Sequence, residues 1–447
     1  MSAFETISIS DGPESGEVDS DASGGSINMS SDWMQAVKSP VPFRVGNRLI
    51  RLRITNLARP RVIVPVFIIL ITVGALFILL PNTDARYTRG VNSPRLKTFI
   101  HEDDMFRTAE APVAAALPTS REPCADGSHY NTTYPLSRPE VLPDGSMRYR
   151  IGVISDLDTD SKSKVEKFTW LSHFLKGHLT LSANHDQIQI KWEERVTLKE
   201  TLSQGGRGME LSELVVFDGK LYTVDDRTGV VYLIENDIAI PWVVLPDGNG
   251  KSGKGFKCEW ATVKDKTLYV GGLGKEWTTV AGKILNTNPQ WVKAISPSGV
   301  VRHLDWHEKY NALKKSGGIN NTGYIIHESA VWSDVWQRWF FLPRRASNEQ
   351  YNDVDDENRG TNMLFTCDDS FRNCEMKKIG KIIPTHGFSS FKFIPGTGDK
   401  IIVAIKSEEN ADAETAAAFI MAFTIDGKIL MDETKIGDFK FEGVEFI

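Results

Sequence analysis

Apolar and polar positions alternate in short runs along most of the chain after residue 139. "YRIGVIS", "HLTLS", "QIQIKW", "ELVVFD", "KLYTVDD", "VVYLIE", "TLYVGG", "RWFFLP", "NMLFTC", "KIIVAIK" and "AAFIMAFTI" are each about five to nine residues long and rich in Val, Ile, Tyr, Phe and Trp. A period of two puts alternate side chains on opposite faces, and turns such as "DG", "PSG" and "TGDK" separate the runs, so the pattern predicts β-strands. The best helical pattern is "DWHEKYNALKKS", Asp305 to Ser316. Many short strands over some 300 residues fit either paired sandwiches or one propeller, and an internal repeat decides between them.

Such a repeat is present. "GMELSELVVFDGKLYTVDD" and "GFKCEWATVKDKTLYVGG" both set an oxygen-bearing residue, Ser212 or Glu259, before an apolar run, a polar turn and a second run containing Leu-Tyr. The pattern returns at Glu328 in "GYIIHESAVWSDVWQRWFFLPRR", at Ser389 in "THGFSSFKFIPGTGDKIIVAIKSEE" and at Glu442 in "FEGVEFI". Successive starts lie roughly 45 to 70 residues apart, the size of a four-stranded blade with variable loops. The last start has only one strand after it, whereas the strands between Tyr149 and Glu200 have no such start. Joining the two ends in one blade closes the ring and removes an open sheet edge. The expectation is an all-β, five-bladed β-propeller over residues 139–447.

The N-terminal part reads differently. Residues 1–61 begin with a Ser-, Gly- and acid-rich tract too poor in apolar groups to fold, then turn basic, and are expected to form a disordered cytoplasmic tail. Val62 to Leu80 carries no charge and, at about 1.5 Å per residue, is long enough to cross a bilayer core of about 30 Å. Arg44, Arg48, Arg51, Arg53, Arg59 and Arg61 precede that run, so the positive-inside rule orients it as a type II signal anchor with everything after it lumenal. Residues 81–138, with scattered Pro, Ser and Thr, read as a stalk. Asn131 in "NTT" and Asn320 in "NNT" are glycosylation acceptors if lumenal, while Asn28 would stay unmodified. Of the four cysteines, Cys367 and Cys374 bracket a turn and are placed to close a local disulfide, which suits an oxidising compartment. The net charge of −6 excludes a nucleic-acid binder, and no Cys/His spacing suits zinc.

In a propeller the first strand of each blade lines the central tunnel, so Ser212, Glu259, Glu328, Ser389 and Glu442 converge on one axis. One Ser or Glu at a strand start is ordinarily a solvated edge residue; five in register ask for another reason. Carboxylates crowded into a tunnel need a positive charge among them, and an all-oxygen donor set suits Ca2+. Glu213, beside Ser212, is a weaker sixth candidate. Around the mouth lie Asp156 and Asp158, Arg207 and Glu210, Asp225, Asp226 and Arg227, Lys275, Glu276 and Trp277, and Arg344 and Arg345. Carboxylates beside a metal orient or deprotonate water, Arg holds phosphate bidentately and Trp stacks on a base, a combination suited to a nucleotide phosphoanhydride.

"RYRIGVISDLDTDS", "GRGMELSELVVFDGKLYTVDDRTGVVYLIE", "VGGLGKEWTT", "GYIIHESAVWSDVWQRWFFLPRRAS", "PTHGFSSFKFIPGTGDKIIVAIKSEE" and "KFEGVEFI" closely resemble the calcium-dependent apyrase family, from about Tyr130 to Ile447. The resemblance implies one calcium in the tunnel of a five-bladed propeller that hydrolyses nucleoside diphosphates, especially UDP and GDP, to the monophosphate. It also implies anchorage in the endoplasmic reticulum or Golgi, or release as a soluble form. By resemblance the calcium ligands are Ser212, Glu259, Glu328, Ser389 and Glu442. Family members usually carry Asp where this chain has Glu213. Asp156, Glu210 and Asp226 resemble the catalytic acids. Lys275, Trp277, Arg344 and Arg345 resemble the phosphate- and base-contacting groups, with Asp158, Arg227 and Glu276 beside them.

By this reading the protein removes UDP left by lumenal glycosyltransferases, supporting glycosylation and proteoglycan synthesis. A competing reading is a binding module in which calcium is structural; the charged rim at one mouth argues for the enzyme. A propeller esterase or lactonase would need a His near the ion, and alternation turns His327 away from the channel. The partners expected are a nucleoside diphosphate and, through residues 62–80, the membrane; the sequence leaves open whether the domain forms a homodimer.

Overall fold

The computed structural model describes residues 41–45, 48–52, 130–279, 282–410 and 415–447. The chain divides into two units, Met1–Val113 and Ala114–Ile447. In the first, β1 (Val41–Val45) and β2 (Arg48–Leu52) pair antiparallel. The expectation for residues 1–61 was no regular structure, but two short apolar runs flanking the turn-type dipeptide Gly46-Asn47 are a hairpin signal. Among the described residues no helix is long and apolar enough to cross a membrane, and the run from Val62 to Leu80 lies outside them.

The second unit is a ring of five antiparallel sheets. After the short β3 (Glu140–Val141) come β4 (Met147–Ser155), β5 (Trp170–Leu181) and β6 (Ile188–Glu200). The next sheet contains β7 (Leu211–Phe217), β8 (Lys220–Asp225), β9 (Val230–Glu235) and β10 (Ile238–Val244). The following one runs β11 (Trp260–Lys264) and β12 (Thr267–Gly271), then, beyond a small hairpin of β13 (Trp277–Thr278) and β14 (Ile284–Asn286), β15 (Trp291–Ile295) and β16 (Val301–Asp305). Helix α1 (His307–Ser316) and β17 (Tyr324–Ile326) lead to β18 (Ala330–Ser333) and β19 (Arg338–Phe341). β20 (Arg345–Ser347), which pairs with β17, and the short α2 (Asp353–Asp356) interrupt that blade before β21 (Met363–Cys367) and β22 (Cys374–Lys378) complete it. The next sheet is β23 (His386–Phe393), β24 (Ile401–Asn410), β25 (Thr415–Thr424) and β26 (Ile429–Gly437). The last strand, β27 (Phe441–Phe446), pairs with β4 and becomes the inner strand of the blade built by β4, β5 and β6. The expected closure of the two chain ends in one sheet is therefore observed.

The first strands form the inner ring: β7 meets β11 and β27, β11 meets β18, β18 meets β23, and β23 meets β27. Each blade interface holds its own hydrophobic cluster, because the inner strands are buried on both faces. Leu214 and Val216 pack toward Phe174 and Leu198 of the closing blade, while Val215 and Phe217 pack toward Ala261 and Val270 of the next. The interface after that is aromatic, with Trp260, Trp306, Trp339 and Phe341 in edge and tilted contact. Truncating one such ring costs about 3–5 kcal/mol, so the wedges hold the ring together. Helix α1 starts two residues later than its pattern predicts, because Asp305 ends β16 and accepts from the His307 backbone N–H at 2.9 Å. Cys367 and Cys374 face each other across β21 and β22 and form the expected disulfide; Cys258 is a buried thiol.

Tyr130 to Leu136, which the sequence reading put in the stalk, pack on the propeller instead. The Tyr130 ring lies 5.7 Å from that of Phe217, and the Tyr134 hydroxyl donates to Glu445 Oε1 at 3.1 Å. Leu136 joins the cluster between the closing blade and its neighbour. This strap borders a cavity formed with the first-to-second strand turns of the other four blades.

Ring closure makes a stability prediction. A Cβ on Gly443 of β27 would lie 2.5 Å from the Leu214 backbone N and 2.7 Å from Glu213 Cα, atoms that cannot rotate away. Gly443→Ala is expected to cost about 1–3 kcal/mol in denaturant titration. Gly253→Ala, with nothing within 4 Å, should stay within about 0.5 kcal/mol of the parent.

Candidate functional site

The residues singled out by the repeat share a local geometry. In β7 the register with β8 shifts between Leu211 and Glu213, leaving Ser212 as an unpaired extra residue. The same happens to Ser389 between Phe388 and Ser390, and to Glu442 between Phe441 and Gly443. A β-bulge turns one side chain away from strict alternation, which is how a strand re-aims a residue without losing its pairing. Glu259 and Glu328 sit just before β11 and β18, outside their ladders. Ser212, Glu259, Ser389 and Glu442 are each no more than 3% exposed.

Their electrostatics are those of crowded acids. Burial pushes the Glu259 carboxyl up to about 8; Lys257 opposes the shift, and Glu328 and Asp226 add to it. Burial likewise holds Glu442 well above the carboxylate range, against Lys440 and with Glu328 and Asp156 adding. Three inner strands thus place carboxyls in one another's field. The buried hydroxyls of Ser212 and Ser389 have no hydrogen-bond partner in the protein. Crowded carboxyls with orphaned hydroxyl oxygens fit a hard divalent cation.

Glu213 belongs to a different group. Its Oε1 accepts from Ser390 Oγ at 2.8 Å and lies 3.2 Å from Lys392 Nζ. Burial pushes this carboxyl up to about 7, against Lys392.

Above the inner residues, the loops joining second to third strands carry the rim. Lys275, Trp277, Arg344 and Arg345 line one cavity of about 400 Å3 together with Glu328 and Tyr351. Lys257, Glu409 and Lys440, which sequence reasoning missed as it did Tyr351, also line it. Arg344 pairs with Glu328, with Glu442 Oε1 at 2.8 Å and with Glu409 Oε2 at 2.9 Å. Arg345 is braced by Asp356 and lies 3.7 Å from Glu409. The Lys275 ammonium sits 3.8 Å over the Tyr351 ring, and Lys254 lies 4.4 Å over Trp277. Lys257 and Lys440 did leave a signal: each stands two residues before a Glu of the repeat, in "KCE" and "KFE".

Asp156, Asp158 and Glu210 form an adjoining acid cluster, with one oxygen from each within 4.8 Å of the others. Arg207 holds Glu210 and Asp158, and Lys440 holds Asp156 at 2.7 Å and Asp158 at 3.2 Å. Burial pushes Glu210 up to about 7; the Arg207 hydrogen bond opposes this, and Asp226 and Asp156 add to it. Asp226 pairs through Oδ2 with Lys257, and its buried Oδ1 has no partner. Three expected substrate contacts do not line the cavity: Asp158, held in the acid cluster by Arg207 and Lys440, Arg227 and Glu276. The Arg227 side chain reaches back to the Gln204 carbonyl, and the Glu276 carboxylate lies 3.5 Å from Gln290 Nε2 in a separate recess. His327 packs between Tyr310 and Phe341, and burial holds its imidazole down at about 3, neutral and turned from the acids.

The apyrase family model matches residues 157–447, the body of this propeller. The chain belongs to the apyrase family. "Soluble calcium-activated nucleotidase 1" of Mus musculus is 57% identical over 321 residues, covering 72% of this chain and 79% of that protein. Its Rattus norvegicus counterpart is 56% identical with the same coverage. The "Apyrase" of Cimex lectularius is 48% identical over 320 residues, 71% of this chain and 87% of that protein. The apyrase match includes every inner-strand oxygen described above, from Ser212 to Glu442.

The buried acids fix the sign of a pH effect. Glu259 and Glu210 keep their protons to about 8 and 7 in the fold, whereas the ordinary value is 4.5, so between these limits the folded chain binds more protons than the unfolded one. Their contribution to stability therefore falls as pH rises through that window. Without a divalent cation the melting temperature should drop between about pH 5 and 8, and calcium binding should release protons over the same range. Calorimetry in two buffers of different ionisation enthalpy measures that release.

Proposed function

We propose that this apyrase-family protein is a calcium-dependent nucleoside diphosphatase that converts UDP and GDP to the monophosphate and phosphate. The observation that carries the reading is the adjacency of two features. Mutually repelling carboxyls and orphaned hydroxyls suit a hard cation, and they border a cavity lined by Lys257, Lys275, Arg344, Arg345 and Lys440 that suits a polyphosphate.

Ser212, Glu259, Glu328, Ser389 and Glu442 would hold the calcium, which supplies Lewis acidity toward phosphate oxygens. Arg344 and Arg345 clamp the terminal phosphate, and fixed guanidinium donors stabilise the charge that builds on its oxygens as the bridging bond breaks. Trp277 and Tyr351 offer ring faces to the nucleoside. Among the acids, Asp226 is best placed to take the proton of the attacking water. Both oxygens of Asp156 are engaged, Oδ1 by the Asp158 backbone N–H and Oδ2 by Lys440, whereas Asp226 Oδ1 is unpartnered. Water attacks the terminal phosphorus, its proton passes to Asp226, and the bridging oxygen leaves with the nucleoside monophosphate. The proposal also places the domain in the lumen of the secretory pathway, anchored through residues 62–80 and removing the UDP that glycosyltransferases release.

Phosphate release from UDP, GDP, ADP, ATP and UMP, in calcium, magnesium and chelator, tests the reading. Calcium-dependent release from UDP and GDP with UMP untouched is expected; a folded, calcium-binding protein that releases nothing would overturn it. Asp226→Asn should lower kcat by about 10² to 10⁴-fold and leave calcium binding intact. Full activity in that variant would remove Asp226 from the base role.

A further inference from the structure

Every carboxylate assigned above to the cation already has a cationic side chain of the same protein on it. Lys257 Nζ lies 2.9 Å from Glu259 Oε1 and also pairs with Asp226. Arg344 bridges Glu328 and Glu442. Lys440 Nζ lies 3.5 Å from the same Glu442 oxygen, 2.7 Å from Asp156 and 2.9 Å from Glu409. Lys257 and Lys440 stand just before inner strands, Arg344 comes from the connection after β19, and all three line the cavity.

Glu442 Oε1 already faces two side-chain cations, and a divalent ion on the same oxygens adds further positive charge in a poorly solvated place. A calcium ion needs its oxygens at about 2.3–2.6 Å, and a neighbouring ammonium or guanidinium that stays on the same oxygen repels the ion at short range in a poorly solvated place. Each cation has a second acidic partner to move toward: Asp226 for Lys257, Glu409 for Arg344, and Asp156 with Glu409 for Lys440. Letting go of the tunnel carboxylate leaves each charge on the cavity wall, which all three cations line together with Glu409.

Resting on the diphosphatase reading, we propose that Lys257, Arg344 and Lys440 are internal counter-ions of the tunnel carboxylates. A divalent cation displaces them, and the displaced groups then receive the phosphates. Calcium activation is then an exchange of partners: the ion takes the carboxylates and hands three positive charges to the substrate. Linkage makes the coupling reciprocal, so an anion in the cavity tightens calcium binding by the factor by which calcium tightens the anion.

Calorimetric titration of calcium into the full chain, with and without UMP, tests this without turnover. UMP at saturation should tighten calcium about five-fold or more, and Lys440→Met should reduce that factor while raising calcium affinity in the absence of UMP. Melting in chelator and in calcium supplies the second readout. Lys440→Met and Lys257→Met should each lose stability in chelator, with at least half of the deficit recovered in calcium. An unchanged calcium affinity with UMP, or an equal deficit in both conditions, would overturn the exchange and leave the diphosphatase reading standing. Absence of calcium binding would overturn both. If neither variant folds, the UMP dependence of the parent chain decides.

Discussion

Three carboxyl groups, Glu259, Glu328 and Glu442, are brought by separate inner strands to one axis, and the rest of the site is arranged around that repulsion. The fold answers with cations fixed at short sequence distance. Lysines stand two residues ahead of Glu259 and Glu442, and Arg344 reaches inward past Gly387, where a Cβ would sit 2.3 Å from the Arg344 Cγ. Glycine there is a packing requirement of the charge balance. Arg344 in turn anchors Glu409, whose carboxyl Lys440 and the two arginines hold far below the usual range despite its burial.

The same arrangement depends on how the ring closes. Because β27 comes from the end of the chain, the closing blade has no first-to-second strand turn of its own. The strap of Tyr130 to Tyr134 crosses that end instead, with its tyrosine hydroxyl on the buried Glu445. The bulges serve both ends of the tunnel at once. In β7 and β23 the extra residue, Ser212 or Ser389, keeps an unpartnered hydroxyl, while the paired residues that follow, Glu213 and Ser390, bond each other beside Lys392.

The blade count and the inner-strand oxygens were legible because they recur in register, and a repeat survives variable loops. The bulges were not legible: an extra residue in a strand changes no composition and only a Cα register shows it. Glu409 lies at the end of a long strand in "SEE", a run that looks like a solvated tip, yet its carboxylate serves three cations from two other segments. Arg227 and Glu276 were drawn into the site by adjacency to Asp226 and Lys275. Both stand in irregular connections between second and third strands, where sequence neighbours need not share a direction, and both turn out of the cavity. The strap was missed because its contacts are single side chains without periodicity.

The division between strands and loops also separates two chemical tasks. The inner-strand oxygens sit on elements packed on both faces, where Leu214 and Val215 in one strand serve two different blade interfaces. Shifting such a residue disturbs two cores, so the cation's donor set is fixed by the fold itself. Lys275, Trp277, Arg344 and Tyr351 stand on the connections between second and third strands, which vary from the short turn after Asp225 to the long excursion through β20 and α2. Those connections can change length and side chains without moving an inner strand. Substrate selection is therefore free to vary where cation binding is not, and Arg344, a loop residue that reaches the tunnel carboxylates, is where the two meet.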